Sequence, residues 1–369
     1  MKILQVGKFY PVLGGVEKVM WDLTLGLNAS GMHCDMLCAK FPGDVISEED
    51  KEAMDGHLIC CRAWKKLSGT MIAPSMIVWL RRHCREYDII HIHHPDPMAA
   101  LALRLCGYDA RVILHWHSDI VSQQFGLALY RPLQSWLIRR AERIVGTTPV
   151  YVSQSEWLKD SRHKICHVPI GISPVRYDEE MVRAISDRYS GKHLVLAAGR
   201  LVPYKGYDVL IRSFSLLPED YCLVIIGQGP LMDQMVALTE ELGVSDRVSF
   251  LGHVPDKELY SYMAASEVLA LTSVMKSEAF GIVQIEAFSC SVPVVSTRIP
   301  ESGVSWVNAD GISGLTVPVR DAEAAAAAIR SICEDATMRD KLSEGARLRY
   351  EQLFTLKRMT ENIMNIYEE

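Results

Sequence analysis

Short β-rich apolar runs alternate with amphipathic helical stretches along the whole chain. Apolar residues recur at helical spacing in residues 16–27, 127–140, 231–242 and 322–333. A first series of strand-like runs occupies residues 2–7, 34–39, 89–93, 111–117, 143–147 and 165–168. A second series occupies residues 193–199, 221–227, 248–252, 268–272, 293–296 and 314–317. This alternation is typical of parallel sheets with crossover helices, and it predicts an α/β protein with two doubly wound domains.

The length of 369 residues, with 49% hydrophobic residues, is enough for two packed cores. Pro169 and Gly171 interrupt both patterns between the two series. We therefore expect the boundary near residue 170, with a first domain over residues 1–170.

The cysteines and the apolar segments bear on the location of the protein. The ten cysteines include no CxxC pair and lie in apolar runs, which is typical of reduced core residues in a cytoplasmic protein. The strand-like start is followed at once by Lys8, so we expect no signal peptide. The longest apolar stretch, residues 71–80, is shorter than the roughly 20 residues that span a bilayer. We expect a cytoplasmic protein, with contact at a membrane surface left open.

The net charge of −6 is divided unevenly along the chain. Up to residue 175 there are 20 basic and 17 acidic residues, and beyond it 19 and 28. This asymmetry indicates that the first half faces something anionic, and it is too small to indicate nucleic-acid binding.

Loops that follow the strand-like runs are where ligands are expected, because open parallel sheets bind ligands beyond the carboxyl ends of their strands. Gly14 and Gly15 lie between the first run and a helix. Glycines there let helix N-terminal amides approach an anion such as a diphosphate, although an ordinary turn would also use them. The chain has no GxGxxG motif, which disfavours a nicotinamide dehydrogenase.

Arg200 and Lys205 lie on one loop that Pro203 and Gly206 shape, directly after a strand-like run. A guanidinium offers paired donors to phosphate oxygens and an ammonium supplies a mobile charge, so together they suit a diphosphate leaving group. Taken singly, each side chain is equally compatible with a surface salt bridge.

Glu278 and Glu286 stand eight positions apart across a glycine-containing turn into a helix. We expect Glu278 on the loop and Glu286 about two turns into the helix, roughly on one side of it. One carboxylate would then reach a donor sugar and the other a ribose. Periodicity alone favours a structural role for Glu286, as a buried or solvated residue of the helix.

The E-x7-E spacing of these carboxylates, with the Arg200/Lys205 loop and Gly14-Gly15 in this order, resembles the retaining glycosyltransferase family 4. The resemblance covers essentially the whole chain. It implies the GT-B architecture, in which two Rossmann-like doubly wound domains face each other across a cleft. Residues 1–170 would bind the acceptor and residues 171–354 the nucleotide-sugar donor. A C-terminal helix, about 355–369, would pack back on the first domain.

The resemblance also implies roles for individual residues. Glu278 and the backbone of the next loop would hold the transferred sugar, Glu286 the ribose, and His117 would be the active-site histidine near sugar and acceptor. Val254 and Asp256 would contact the base. The residues assigned to donor binding are Gly15, Arg200, Lys205, Val254, Asp256, Phe280, Gly281, Ile282 and Glu286. Many members carry an acidic residue after the segment that ends at Gly303, where this chain has Ser305-Trp306, so Gly303 receives no phosphate role.

The reaction implied by the resemblance is retaining and metal-independent, with no cofactor. Arg200, Lys205 and helix N-terminal amides would stabilise the departing nucleoside diphosphate, and the acceptor would attack the same face of an oxocarbenium-like sugar. The protein's main contribution would be electrostatic stabilisation of the leaving group.

The stretches 117–121, 129–134 and 277–282 look like those of bacterial mannosyl- and rhamnosyltransferases of O-antigen assembly. This likeness implies GDP-mannose as donor, with a UDP-sugar as the alternative, and a lipid-linked glycan on undecaprenyl diphosphate as acceptor. Basic and large apolar residues interleave in residues 62–66 and 76–82, which suits an anionic membrane surface. An ordinary surface helix with a core-facing Trp79 fits the second stretch as well.

Two other functions remain open at this point. Histidines at two strand ends, among them His91, His93 and His115, suggest a metal-dependent hydrolase, but no carboxylate or cysteine completes an obvious ligand set. A non-catalytic sugar-nucleotide-binding protein would use the same loops. Its discriminating feature is His117 together with Glu278, which binding alone does not require.

Overall fold

The computed structural model describes residues 1–12, 14–67, 69–120 and 124–369, with the backbone alone for residues 124–129. The chain divides into two compact units. The first comprises Met1–Gly171 and Leu356–Glu369, and the second comprises Ile172–Thr355. Each unit is built on its own parallel sheet.

The first unit contains a seven-stranded parallel sheet with the order β3-β2-β1-β6-β7-β8-β9. Its strands, with the antiparallel hairpin β4-β5, are β1 (Lys2–Phe9), β2 (His33–Lys40), β3 (Leu58–Arg62), β4 (Lys65–Leu67), β5 (Thr70–Ile72), β6 (Ile89–His94), β7 (Arg111–Trp116), β8 (Arg143–Gly146) and β9 (Ile165–His167). The strand order reverses between β1 and β6, so the loops beyond their carboxyl ends diverge and leave room for a ligand.

Among the described residues of this unit, six α-helices lie between the strands. They are α1 (Gly15–Ala29), α2 (Glu48–Met54), α3 (Pro74–His83), α4 (Pro97–Cys106), α5 (Gln124–Arg140) and α6 (Pro149–Gln154). The start of α4 shows how local sequence sets an element. Asp96 accepts hydrogen bonds from the amides of Met98 and Ala99 at 2.9 and 3.1 Å, and Pro97 occupies the first helical position. Gly107 ends the helix in the left-handed conformation at φ 77°.

The second unit contains a six-stranded parallel sheet with the order β12-β11-β10-β13-β14-β15. Its strands are β10 (His193–Ala198), β11 (Tyr221–Ile226), β12 (Val248–Gly252), β13 (Val268–Leu271), β14 (Val294–Arg298) and β15 (Gly314–Pro318). The order reverses between β10 and β13, and the loops after these two strands carry the residues of greatest functional interest.

The helices of this unit lie between and after its strands. They are α7 (Glu179–Arg188), α8 (Tyr207–Phe214), α9 (Met232–Glu241), α10 (Asp256–Ala265), α11 (Ile282–Ser289), α12 (Val304–Val307), α13 (Ala322–Glu334) and α14 (Ala336–Arg349). The last helix, α15 (Leu356–Glu368), belongs to the first unit and packs on α1. Gly26 of α1 permits the close approach, since a Cβ there would lie 2.3 Å from Oγ1 of Thr360.

Two doubly wound α/β domains are therefore confirmed. The predicted strand runs match observed strands to within two residues at either end, because strands that are buried on both faces read as continuous apolar runs. The strands β3, β4 and β5 were missed. β4 consists of exposed Lys65, Lys66 and Leu67 and has no apolar face for a pattern to reveal. Within the described ranges, no helix combines the length and apolar character needed to cross a membrane.

Candidate active site

The loops after β10 and β13 are held against each other by a close backbone contact. Gly206, at φ 65°, ends the short turn Pro203–Lys205, and a Cβ at this position would lie 2.2 Å from the carbonyl oxygen of Thr272. The hydroxyl of Tyr207 donates to the carbonyl of Gly199 at 3.0 Å. Only glycine at position 206 allows both the left-handed backbone and this contact, which places Lys205 beside the loop that follows β13.

Lys205 and Glu278 form an ion pair at this place. The Lys205 Nζ lies 2.6 Å from Glu278 Oε2, and the two side chains are 12% and 10% exposed. The hydroxyl of Ser273 donates to the same carboxylate oxygen at 2.9 Å. Burial lowers the pKa of Lys205, but the attraction of the Glu278 carboxylate, together with the neighbouring Tyr204 and Tyr207, raises that pKa above its ordinary value. The site therefore holds a permanent cation beside a carboxylate.

The backbone around Glu278 is held by the segment that follows β14. Ser302 donates its hydroxyl to the carbonyl of Glu278, and the amide of Gly303 donates to the carbonyl of Ala279 at 3.0 Å. Thr297 donates to the carbonyl of Ser273. These bonds give Ser302 and Gly303 a part in positioning Glu278.

The N-terminus of α11 follows directly. Gly281 precedes the helix at φ 76°, and Phe280 is buried edge-to-face against Phe354 with ring centroids 5.9 Å apart. Gln284 donates to the carbonyl of Phe280 at 2.8 Å. The first amides of a helix have no intrahelical acceptor, so the Phe280–Ile282 turn offers donors that suit a phosphate or a sugar hydroxyl.

Glu286 lies about one turn into α11, and the expectation of two turns was wrong. The helix begins only at Ile282, because Gly281 occupies a left-handed conformation that cannot continue a helix. The half-buried carboxylate of Glu286 accepts a hydrogen bond from the hydroxyl of Tyr260 at 3.3 Å. Glu286 is thus anchored to α10 through Tyr260.

The other three donor candidates in this unit differ in exposure. Arg200 is exposed next to Gly199, and among the described residues it forms no ion pair. Val254 is buried, and Asp256 is the exposed first residue of α10. Among the contacts of the described chain, none joins Val254 or Asp256 to the Lys205–Glu278 pair.

In the first unit, Gly15 is the exposed first residue of α1. The preceding Gly14 lies against a buried carboxylate, because a Cβ there would be 2.3 Å from Oε2 of Glu17. A carboxylate in the first turn already interacts favourably with the helix dipole. The structure thus places a negative group beside the amides that the sequence assigned to a phosphate.

His117 follows β7 and is 5% exposed. Its Nε2 lies 2.9 Å from Nδ1 of His93, and Nε2 of His93 lies 2.6 Å from Oε1 of Gln5. Burial, followed by repulsion from neighbouring groups, lowers the pKa of both histidines well below the ordinary value. Both rings are therefore neutral at physiological pH, so His117 can make hydrogen bonds but carries no charge.

The neighbouring histidines bear on a metal site. His91, His93 and His115 could each present one nitrogen to an ion, with these atoms within 4.8 Å of one another. Both nitrogens of His93 are already engaged, however, by His117 and Gln5. Coordination by His93 would break one of these hydrogen bonds, so the three side chains do not form a ready ligand set.

Several residues of these sites were missed from the sequence. Ser273 directly follows the predicted run 268–272, so its place at the carboxyl end of a predicted strand was an available signal. Gln5 lies inside β1, where an isolated polar residue in an apolar strand was also a signal. Tyr367 has no local signal, since its hydroxyl bonds Gln5 across 362 positions of the chain.

Two family models match consecutive parts of the chain. The model described as "Glycosyltransferase Family 4" matches residues 13–176, and that described as "Glycosyl transferases group 1" matches residues 178–349. Together they span nearly all of both units.

Similar proteins agree with this. The chain is 30% identical over 376 residues to "O-antigen chain mannosyltransferase C" of Escherichia coli, with 100% of this chain and 98% of that protein covered. It is 34% identical over 349 residues, with 91% of each covered, to "N-acetylgalactosamine-N,N'-diacetylbacillosaminyl-diphospho-undecaprenol 4-alpha-N-acetylgalactosaminyltransferase" of Campylobacter jejuni.

A solved structure supports the fold. The crystal structure of Anabaena Alr3699/HepE in complex with UDP matches with a TM-score of 0.80 over 100% of both chains, at 20% identity. At this identity the likeness shows the fold alone. With family models over both units, a full-length relative and a matching fold, the chain belongs to glycosyltransferase family 4 and is a glycosyltransferase of the GT-B fold class.

Proposed function

We propose that this protein transfers mannose, with retention, from GDP-mannose to a lipid-linked oligosaccharide on undecaprenyl diphosphate in O-antigen or surface polysaccharide biosynthesis. It does so without a metal ion or other cofactor. The observation that carries the proposal is the nearly buried Lys205–Glu278 pair at the strand-order reversal between β10 and β13. In this pair, the Lys205 ammonium is a cation suited to a diphosphate, and the Glu278 carboxylate can accept hydrogen bonds from sugar hydroxyls.

The diphosphate is held by Lys205 and Arg200. Lys205 keeps its charge because Glu278 stabilises it, and Arg200 is exposed with its donors unengaged by any carboxylate of the described chain. A diphosphate that binds Lys205 replaces part of the interaction between Lys205 and Glu278. The carboxylate is then available to hydroxyls of the sugar, so donor binding itself prepares the sugar-binding group.

The sugar and the ribose of the donor bind at α11 and at the turn that precedes it. Amides of Phe280, Gly281 and Ile282 donate to phosphate or sugar oxygens, and Glu286 accepts from the ribose hydroxyls. Glu286 is held by Tyr260 at 3.3 Å, a long hydrogen bond, and a ribose would compete with that hydroxyl for the carboxylate. The loop with Val254 and Asp256 contacts the base.

The transfer step follows from these roles. The bond between the anomeric carbon and the diphosphate oxygen breaks, and the acceptor hydroxyl attacks the same face of the oxocarbenium-like sugar. The released diphosphate oxygen takes the hydroxyl proton, while Lys205 and Arg200 stabilise the charge that develops on the leaving group. His117, as a neutral imidazole, hydrogen-bonds the sugar or acceptor.

Two observations bear on the substrates. The Escherichia coli relative is a mannosyltransferase of the O-antigen chain, which supports mannose, and the Campylobacter relative is named for a diphospho-undecaprenol acceptor, which supports a lipid-linked glycan. The alternative is a UDP-sugar as donor, because a structural neighbour binds UDP.

A place at the cytoplasmic face of the membrane is part of the proposal. Trp64 is 72% and Leu67 is 58% exposed at the β4-β5 hairpin, beside exposed Arg62 and Lys65. Such a surface suits an anionic bilayer, where each basic side chain contributes about 1 kcal/mol. The α3 stretch contributes less, because Trp79 is partly buried against His83.

The donor is tested by calorimetric titration of the full chain with GDP, UDP and ADP, with and without EDTA. We expect EDTA-insensitive binding of GDP that is lost in Lys205→Ala and Glu286→Ala. The control is Lys341→Ala, which removes an exposed lysine from α14 and should bind GDP normally. A preference for UDP would replace the donor, and absence of any nucleotide binding would overturn the proposal.

Transfer is tested separately with radiolabelled GDP-mannose and lipid-linked glycan from membranes. Label that moves into the lipid fraction, and fails to do so with Lys205→Ala, supports transferase activity. Binding of GDP-mannose without transfer to any glycolipid would favour the non-catalytic binding protein. EDTA-sensitive hydrolysis would favour the metal-dependent hydrolase.

A further inference from the structure

A continuous set of buried hydrogen bonds connects the last helix of the chain to His117. It runs from Tyr367 on α15 through Gln5 on β1 and His93 on β6 to His117 after β7, all within the first unit. Each of these side chains is at most 5% exposed. Water therefore does not compete for these contacts, and their donors and acceptors must match one another.

The distances are those of real hydrogen bonds. The amide nitrogen of Gln5 donates to the Tyr367 hydroxyl at 3.1 Å, and that hydroxyl lies 2.6 Å from Nδ1 of His91. The amide oxygen of Gln5 lies 2.6 Å from Nε2 of His93, and Nδ1 of His93 lies 2.9 Å from Nε2 of His117.

The two imidazole rings are oriented for the bond between them. Their planes are 15° apart and their centroids 5.1 Å apart, with 2.9 Å between the two nitrogens. This is a side-by-side, nearly coplanar arrangement. Since the N–H bond and the lone pair of an imidazole both lie in the ring plane, the arrangement aligns donor with acceptor.

The direction of the bonds follows from what each group can do. An amide oxygen only accepts, so Nε2 of His93 carries the proton. A neutral ring has one N–H, which leaves a lone pair on Nδ1 of His93. His117 must then donate through its own Nε2, and the lone pair of His117 resides on Nδ1.

We propose that Gln5, His93 and Tyr367 are positioning residues that hold His117 in its Nε2–H tautomer, so that Nδ1 accepts a hydrogen bond from a substrate hydroxyl. The role of His117 toward sugar or acceptor rests on the proposed function. The tautomer itself rests only on the contacts of the first unit. Tyr367 takes part because a hydroxyl that gives its one proton to Nδ1 of His91 can only accept from Gln5, which turns the amide nitrogen toward Tyr367 and the amide oxygen toward His93.

The tautomer is tested by nitrogen-15 NMR on the full chain labelled at histidine, with the His117 signals assigned through His117→Gln. We expect a protonated Nε2 and an unprotonated Nδ1 in the wild type, and a mixture of tautomers in Tyr367→Phe. A wild-type His117 protonated at Nδ1 would mean that the Gln5 amide is reversed, and would overturn the proposal. An unchanged tautomer of His117 in Tyr367→Phe would show that Tyr367 does not help to position His117.

Kinetics provide the second readout. Losing one hydrogen bond of this set should lower kcat about tenfold in Tyr367→Phe and in Gln5→Met, with the donor KM within about twofold. The matched control is Tyr350→Phe, which removes a buried hydroxyl that donates to the carbonyl of Ile172 at 3.0 Å in the second unit. Its kcat should stay within about twofold. Equal losses in the control and in Tyr367→Phe would show a general effect of stability and contradict a positioning role.

The two proposals fail in distinguishable ways. A wild type that binds no GDP-mannose and transfers no sugar refutes the proposed function, while the NMR result still decides the tautomer. A wild type that transfers mannose, with tautomer and kcat unchanged in Tyr367→Phe and Gln5→Met, refutes the positioning role alone.

Discussion

Nζ of Lys205 lies 2.6 Å from Oε2 of Glu278, although the two residues come from loops after different strands of the second sheet. The pair is nearly buried and is shared with the hydroxyl of Ser273. In the proposed function, a donor diphosphate would enter an existing ion pair, which would couple binding of the phosphates to release of the carboxylate.

This pair should show strong energetic coupling. Lys205→Met alone or Glu278→Gln alone leaves one largely buried group without its partner, and each should reduce the unfolding free energy by about 3 kcal/mol. The double variant should lose less than the sum of the two, by at least about 1 kcal/mol. Thermal unfolding of the four proteins at one pH measures the cycle, and additive losses would contradict the pairing.

Gly206→Ala should weaken the donor site. The new Cβ would sit at φ 65° and 2.2 Å from the carbonyl oxygen of Thr272, so the loop that carries Lys205 must move. We expect a loss of stability above about 1 kcal/mol and weaker GDP binding by calorimetry. Gly243→Ala is the matched control, with φ 67° and nothing within 4 Å, and should show the backbone strain but normal GDP binding.

The first unit should lose stability on mild acidification. Burial lowers the pKa of His94 and of His115 from 6.5 to about 3, and lowers those of His91, His93 and His117 as well. The folded-state pKa lies below the unfolded one, so the unfolded chain takes up protons first. For His94 and His115, the loss of stability therefore begins as the pH falls below about 6.5 and grows until the pH reaches about 3. At pH 5.5 each of these buried histidines lowers the unfolding free energy by about 1.4 kcal/mol relative to neutral pH.

Melting temperatures between pH 7.5 and 5 measure this effect. His115→Leu should reduce the pH dependence, because it removes one buried titrating group whose two nitrogens have no partner in the described chain. An exposed histidine such as His253 serves as control, and His253→Gln should leave the pH dependence unchanged. A flat melting temperature over this range would contradict neutral burial of the histidines.

Anionic vesicles should retain the protein, and salt should release it. Removing Arg62 and Lys65 together, as Arg62→Gln and Lys65→Gln, should weaken binding about 30-fold, from about 1 kcal/mol for each charge. Trp64→Ser should weaken it further at any salt concentration, because this side chain is 72% exposed and supplies apolar area. Sedimentation with neutral vesicles is the control, and equal binding to both kinds would contradict the electrostatic part of the proposal.

The sequence allowed the strands to be predicted where burial on both faces made the pattern plain. The six residues of β11 are all buried and apolar, and that run needed no tertiary information. The hairpin β4-β5 could not be predicted in this way, since β4 is fully exposed and its residues carry no periodic pattern. The first residue of α11 was also predicted wrongly. A glycine in a sequence does not reveal that its backbone is left-handed, so it was not evident that the helix begins only after Gly281.

The amino-acid sequence alone determined the fold class and the loops that carry the candidate residues. Strand period, helix period and the residues at strand ends are all properties of short segments, so they can be read without tertiary information. Only the tertiary structure decided which of those residues meet. Lys205 and Glu278 are 73 positions apart, and the hydroxyl of Tyr367 reaches Gln5 across 362. Such contacts depend on how strands order within a sheet and on where the last helix packs, and no short segment encodes either.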